Sequence, residues 1–455
     1  MKILLTHGYF LNEDPKELRI MKPYVPLGIL YISAYLEQHG FANDVFDSTF
    51  SSFDNLLQQI QRTKPDVLAV YTNLMTKINV LRIIREVKNN PELSAMKIIL
   101  GGPEVRHHAS SFLDSGADFI VIGEGEETML DLLKHTDRPE LVAGLAFRDS
   151  DGKLIQTAGR QLIRDINTLP LPARHKIDFT KYLQAWKQHH GYSMMSVSTM
   201  RGCPYTCKWC SRAVYGGTYR RRSPEAVAAE LRMLQETYKP DMIWFVDDVF
   251  TIHHRWLQEF AEQVKNQGVH TPYEIISRAD RLNEDVLRML KDSGCRRVWI
   301  GAESGSQKII DAMDRRVDVI KTREMIRLAK TYGIEAGTFL MLGYPGETKE
   351  DIRETIRHLV ESDPTFYTIT IAYPIKGTRL YEEVENKFLY NPDWETSTDR
   401  DIDFERTYPR RFYEHALQWV NVETYRQTRN KNKLKDLYLR LKSWKCQLSM
   451  EFSKR

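Results

Sequence analysis

The chain has 455 residues, 42% of them hydrophobic, which is length for about three domains and ample apolar surface for their cores. Its 65 Lys and Arg against 61 Asp and Glu leave a formal charge of +4, so composition carries no nucleic-acid footprint. There is no apolar run long enough for a spanning helix, and residues 1–8 read as a short strand and loop rather than a signal peptide. Five cysteines, three of them clustered, argue against a disulfide framework and for a reducing, cytoplasmic setting.

Residues 1–155 alternate short apolar runs with amphipathic ones. Strands are predicted at 2–6, 44–47, 67–71, 97–100 and 119–122, and helices at 28–39, 53–63 and 81–89. That alternation predicts a parallel, doubly wound sheet, whose ligands lie beyond the carboxyl ends of the strands. Those ends carry His7-Gly8, Tyr71-Thr72-Asn73, Gly101-Gly102 and Gly123-Glu124-Gly125, and glycines there let the backbone approach a bulky group. No G-x-G-x-x-G follows the first strand, which weakens a dinucleotide reading. Pattern alone serves equally well for a Rossmann-like accessory domain whose glycines only make turns.

Residues 156–192 form a proline-marked joint, with His189 and His190 in a helix-like segment and no role assigned to either. Residues 193–385 carry six further strands, at 193–200, 241–246, 273–277, 297–300, 335–341 and 367–371, most followed by a helical pattern. This predicts a partial (β/α) barrel with function at the carboxyl ends. The first of those ends delivers Cys203, Cys207 and Cys210 in C-x3-C-x2-C spacing, with Trp209 before the third. Structural zinc takes four ligands and cubane iron–sulfur clusters usually take four thiolates, so three thiolates leave one coordination position open. A zinc loop completed by His253, His254 or Asp247 is the alternative. Later strand ends bring Asp247-Asp248, Ser277-Arg278, Glu303 and Gly343-Tyr344-Pro345. The run Arg220-Arg221-Arg222 reads either as a counter-charge to the cysteine site or as a solvated basic turn. Ser223 and Pro224 then start a helix.

Residues 386–455 are aromatic, with Trp394, Phe404, Tyr408, Phe412, Tyr413, Trp419 and Tyr425, and are expected to close the open side of the barrel. From Val422 onward, ten Lys and Arg meet three acidic residues, while Leu434, Leu437, Tyr438, Leu441 and Trp444 recur at helical spacing. Such a helix can lie on an anionic membrane. Packing of its apolar stripe on the body is the favoured expectation.

The cysteine motif with its preceding aromatic residue resembles the radical S-adenosylmethionine (radical SAM) enzymes. Pro26-Leu27-Gly28-Ile29-Leu30-Tyr31, Gly101-Gly102-Pro103-Glu104 and Gly123-Glu124-Gly125-Glu126-Glu127-Thr128 resemble the cobalamin-binding domain of one class of them. That class includes the anaerobic magnesium-protoporphyrin ester cyclase and the hopanoid methylases. The resemblance implies a 4Fe–4S cluster on Cys203, Cys207 and Cys210, whose open iron binds S-adenosylmethionine and yields a 5′-deoxyadenosyl radical. It places Asp247-Asp248 where other members carry G-G-E, at the methionine ammonium. Ser277, Arg278 and Glu303 fall at the ribose and carboxylate, and Trp209 and Gly343 at the adenine. The first domain lacks the D-x-H-x-x-G of other cobalamin proteins, which implies base-off cobalamin without a histidine ligand, its lower face over the loop that starts at Tyr71. Cobalamin contacts would then come from Tyr71, Thr72, Asn73, Gly101, Gly102, Gly123, Glu124 and Gly125. The activity implied is modification of an unactivated carbon in a small-molecule substrate, with methylation leading. Oxidation, cyclisation or rearrangement is the alternative, and a non-catalytic cobalamin or redox sensor a second. A one-electron donor of the flavodoxin or ferredoxin kind is implied as partner.

Overall fold

A computed structural model describes residues 1–454. The first sheet contains β1 (Ile3–His7), β2 (Asp44–Val45), β3 (Val67–Tyr71), β4 (Lys97–Gly101), β5 (Phe119–Val121), β6 (Leu145–Arg148) and β7 (Leu154–Gln156), in the order β2-β1-β3-β4-β5-β6-β7. Strands β1 to β5 are parallel. Their alternating side chains serve two cores. Leu4, Leu68, Val70, Ile98 and Leu100 pack with the helices Phe53–Thr63 and Lys77–Asn89. Ile3, Leu5, Val67, Ala69 and Ile99 pack with the helices Leu27–Gln38 and Gly125–Lys134 on the other face. A strand buried on both faces reads as one continuous apolar run, which is why these strands were legible. The hairpin β6–β7 is a departure from the expected all-parallel sheet. It adds antiparallel to β5, and its outer strand alternates exposed and half-buried residues, too weak a pattern to announce a strand.

The chain then forms β8 (Met194–Val197), a two-residue ribbon of β9 (Met200–Arg201) and β10 (Arg220–Arg221), and β11 (Met242–Phe245), β12 (Tyr273–Ser277), β13 (Cys295–Glu303), β14 (Glu335–Leu342) and β15 (Phe366–Ile371). Strands β8 and β11 to β15 make one parallel sheet in sequence order, with β8 and β15 at its edges. It is an open six-stranded half-barrel with helices outside.

Buried polar bonds fix how the two sheets sit together. In the joint, Tyr182 donates to Asp47 at 2.8 Å, and Asp47 also holds His7 at 3.0 Å. Trp186 donates to the Pro23 carbonyl and His190 contacts that of Met21. Arg174 reaches Glu230 at 2.6 Å, and Glu230 also receives Arg222.

The aromatic extension lies elsewhere than expected. Phe412, Tyr413 and Trp419, on the helix Arg410–Thr428, pack with Leu340, Leu342, Ile352 and Ile356 and with Tyr367, Ile369 and Ile371 of β15. This is the outer face of the sheet. The inner residues of β15, Phe366, Thr368 and Thr370, remain exposed, so the extension thickens the wall and leaves the open edge open. Trp394 crosses to the first domain, its ring tilted against His108 and edge-on to Phe112, with the Lys77 ammonium over it at 3.7 Å.

Candidate active site

The cysteine loop begins where β9 and β10 pinch its ends together. Gly202, with φ +85°, sits so close to the Thr218 carbonyl that any Cβ would collide with it. Further along, the Lys208 amide donates to the Met313 carbonyl and the Lys208 carbonyl accepts from Leu380, so the loop is tied into the top of the half-barrel. Thr206 adds a bond to Asp314 at 3.0 Å.

Within this frame two guanidinium groups face one sulfur. Arg278 Nη1 and Arg315 Nη1 each lie 3.7 Å from Cys207 Sγ. Both are otherwise locked: Arg278 donates to Asp280 and to the Arg315 carbonyl, and its plane lies 3.8 Å over the Tyr205 ring. Arg315 donates to the Gly301 carbonyl at 2.6 Å and comes within 3.5 Å of Glu303. Burial pushes the Cys210 thiol up to about 12, with Asp248 and the other two cysteines adding to it. Metal coordination is what deprotonates such a set outright.

Among the described residues, the only set of three candidate ligands within 4.8 Å of one another is Glu104, His108 and Asp399. Cys203, Cys207 and Cys210 are free thiols on one loop, so their sulfurs remain available to a shared centre. The Glu104 set lies at the seam with the C-terminal extension, where Lys77 and Lys376 already counter its carboxylates.

The remaining strand-end residues separate into those open to the site and those spent on holding it. Asp248 lines the cavity beside Cys203, and it shares a smaller adjoining cavity with Asp247. Asp247 is 2% exposed and accepts from the Thr199 amide at 2.8 Å, the Met200 amide at 3.2 Å and the Thr199 hydroxyl. It supports the strand end that leads to the cysteines. Ser277 is likewise buried, its hydroxyl 2.5 Å from that of Thr251. Glu303 ends β13 at φ +63°, a left-handed conformation that an L residue keeps only when its surroundings impose it. Burial raises its pKa, opposed by Arg315 and Arg278. Trp209 packs beside Met341 and Tyr344. Gly343, with φ +77°, has the Tyr413 ring against the space a Cβ would take and donates to Glu347 at 2.5 Å, so its near side is occupied by the extension.

The arginine run is neither of the things expected of it. Arg220 bonds Glu124 at 2.7 Å, Arg222 bonds Glu230, and Arg221 lies 3.4 Å over Trp256 while donating to the Phe250 carbonyl. None is a solvated turn or turned toward the cysteines. Together with Arg201, which donates to Glu124 at 2.8 Å and Glu126 at 2.5 Å, Arg220 clamps the cysteine loop onto the first domain.

A cavity of about 350 Å³ lies along this clamp. Its first wall is built at the carboxyl ends of β3, β4 and β5, by Tyr71, Gly101, Gly102, Gly123 and Gly125 with Gly28. Its second is Gly202, Cys203, the loop 211–216 and Asp248. A Cβ on Gly28, Gly101 or Gly123 would meet nothing nearer than 3.8 Å, so these positions keep open a cradle that side chains would fill. Gly102 and Gly125 have a different reason: a Cβ would strike the Thr72 carbonyl at the one and come within 2.7 Å of Ile32 at the other. Three expected contacts are engaged with the protein itself. Thr72 is fully buried, and Asn73 turns its side chain back to cap the Met75 and Thr76 amides. Glu124 borders the space, but both its oxygens are engaged by Arg201, Arg220 and the Ile163 amide. A three-cysteine loop and a glycine cradle fit a metal centre and a large planar cofactor respectively.

Residues 20–133 match the B12 binding domain and residues 197–359 the radical SAM superfamily. The chain is a cobalamin-dependent radical SAM enzyme. Its cofactors are a 4Fe–4S cluster, S-adenosylmethionine and cobalamin. An uncharacterised methyltransferase of Pyrococcus horikoshii is 27% identical over 390 residues, 83% of this chain and 82% of its own. The anaerobic magnesium-protoporphyrin IX monomethyl ester cyclase of Rubrivivax gelatinosus is 25% identical over 408 residues, 85% and 70% of the two chains. The fold matches the cobalamin-dependent radical enzyme OxsB with a TM-score of 0.76 at 15% identity, over 99% of this chain and 72% of that one.

Sequence reasoning missed Arg315, Arg201 and Tyr205. Arg315 follows the helix Gln307–Ala312 rather than a strand, so no strand-end rule pointed to it. The preceding Asp314 and following Arg316, both at positive φ, mark the turn that aims it at Cys207.

Proposed function

We propose that the enzyme methylates an unactivated carbon of a small-molecule substrate. Cys203, Cys207 and Cys210 would hold the cluster; Asp248, Arg278 and Glu303, with Arg315, would hold S-adenosylmethionine; and Tyr71, Gly101, Gly102, Gly123 and Gly125 would border cobalamin. The observation that carries this reading is the shared cavity, with cobalamin-domain strand ends on one wall and Cys203 and Asp248 on the other. When bound, these groups supply one-electron cleavage of S-adenosylmethionine and methyl carriage. The chain's own part is placement and charge. Asp248 offers a carboxylate for an ammonium, and Arg278 offers a guanidinium for a carboxylate. Arg278 and Arg315 hold positive charge against Cys207, and the Arg201 and Arg220 clamp keeps the two walls in register. The reading is supported by the P. horikoshii relative, which is named as a methyltransferase. A cytoplasmic location and a flavodoxin- or ferredoxin-type electron donor belong to the same proposal, supported by five free cysteines and the need to reduce the cluster.

The test is incubation of reconstituted enzyme with deuteromethyl S-adenosylmethionine and candidate substrates. A product carrying the labelled methyl is expected. Substrate consumption without label in the product overturns methylation. The second reading, oxidation or cyclisation, draws on the R. gelatinosus relative, named as a cyclase, and would appear as a product lighter by two hydrogens with no added methyl.

A further inference from the structure

The last helix, Lys433–Phe452, presents two opposite faces. One carries Leu439, Ser443, Cys446 and Met450, all buried against the helix Arg410–Thr428, with Trp419 donating to Ser443 at 3.1 Å. At 3.6 residues per turn, the face about half a turn away carries Leu434, Leu437, Tyr438, Leu441, Trp444 and Phe452. These six are between 59% and 84% exposed. The apolar stripe read from the sequence is therefore not the side that packs on the body. The body takes the small and sulfur-bearing residues, and the larger apolar ones are left facing outward.

Charge decides what such a face suits. Lys435 and Lys442 flank the stripe along one edge, Lys433 and Arg440 along the other, and Lys445 sits within it. Among the described residues, Lys433, Lys442 and Lys445 have no acidic partner within ion-pair distance, whereas both acids of the helix are engaged: Asp436 by Arg440 and Arg426, Glu451 by Lys349 and Lys454. A second copy docked face to face would bring like charges together along both rims. The helix is not apolar enough to cross a bilayer. An apolar, aromatic-bearing stripe framed by free lysines matches a surface that is apolar inside and anionic at its rim.

We propose that the exposed face of this helix docks the enzyme in the plane of an anionic lipid bilayer, with Leu434, Leu437, Leu441, Trp444 and Phe452 in the acyl boundary and the flanking lysines at the headgroups. Docking rests on the helix alone and is independent of which carbon chemistry the site performs.

The experiment is co-sedimentation of the full-length protein with vesicles of phosphatidylcholine alone or mixed with phosphatidylglycerol. The double variants Leu437→Glu with Leu441→Glu and Lys442→Glu with Lys445→Glu are measured beside it. All four positions are solvent-facing, and unchanged thermal melting confirms folding. Wild type is expected to sediment with the anionic vesicles at low salt, and about tenfold less with neutral vesicles, in high salt or with either variant. Failure of wild type to bind anionic vesicles overturns the proposal, as does binding that neither variant weakens. A dimer seen by light scattering and dissolved by Leu437→Glu would overturn it too, assigning the face to a second copy.

Discussion

The two sheets end in opposite ways. The carboxyl ends of the first sheet are rich in glycine: Gly101 and Gly123, with Gly28, leave a space and offer no charge to it. The carboxyl ends of the second sheet are ionic: Arg278 and Glu303, joined by Arg315, are held in place beside the cysteines, and Asp248 lines the cavity with Cys203. One wall thus selects its cofactor by shape, and the other by charge. A flat macrocycle needs room and close backbone, whereas an amino acid end and an anionic cluster need counter-charges that cost no reorganisation on binding.

The sharpest way to break this contrast is Cys207→Ala. It should abolish 5′-deoxyadenosine formation and lower iron content while cobalamin binding persists. Loss of cobalamin with the cluster would mean the walls are not separable. Arg201→Met attacks their junction and leaves Glu126 buried without its partner. Breaking a buried pair in this way costs about 3–5 kcal/mol, readable as a lower urea midpoint together with weaker cobalamin retention. Gly102→Ala tests the shape wall alone. With φ +111° and the Thr72 carbonyl in the way of a Cβ, strain of about 1–3 kcal/mol is expected. Cobalamin content should fall and iron content hold.

A pH test concerns the charged side's own support. Burial pushes the Glu347 carboxyl up to about 8 from the ordinary 4.5. The folded state therefore holds that proton more tightly than the unfolded chain. Its stabilisation is complete below about 4.5 and is lost as pH rises toward 8. Glu347→Gln should flatten the decline in melting temperature between pH 6 and 8.5. An unchanged slope would mean the carboxyl is not buried as described.

Much of the architecture was legible in the residues. Strands buried on both faces announced themselves as apolar runs, and the cysteine spacing pointed to a metal centre with one position open. Individual roles were less legible. Asp247 and Asp248 are adjacent and identical, yet Asp247 spends its carboxylate on the Thr199–Met200 backbone while Asp248 also lines the larger cavity beside Cys203. Glu124 sits in the glycine motif but is neutralised by arginines 77 and 96 positions away. Arg220, Arg221 and Arg222 read as one basic patch and take three separate buried partners.

The helix Lys433–Phe452 makes the same point from the other direction. Its period was plain in the sequence, and the choice of which stripe to bury was not. Local pattern depends on side-chain spacing along one element, and the sequence by itself determined that: two α/β domains, a three-cysteine loop and an amphipathic last helix. Which partner satisfies each charge, and which face of a helix meets the body, depends on contacts between residues far apart in the chain. Only the tertiary structure decided those, because buried charges and apolar surfaces are settled by whatever folding brings against them.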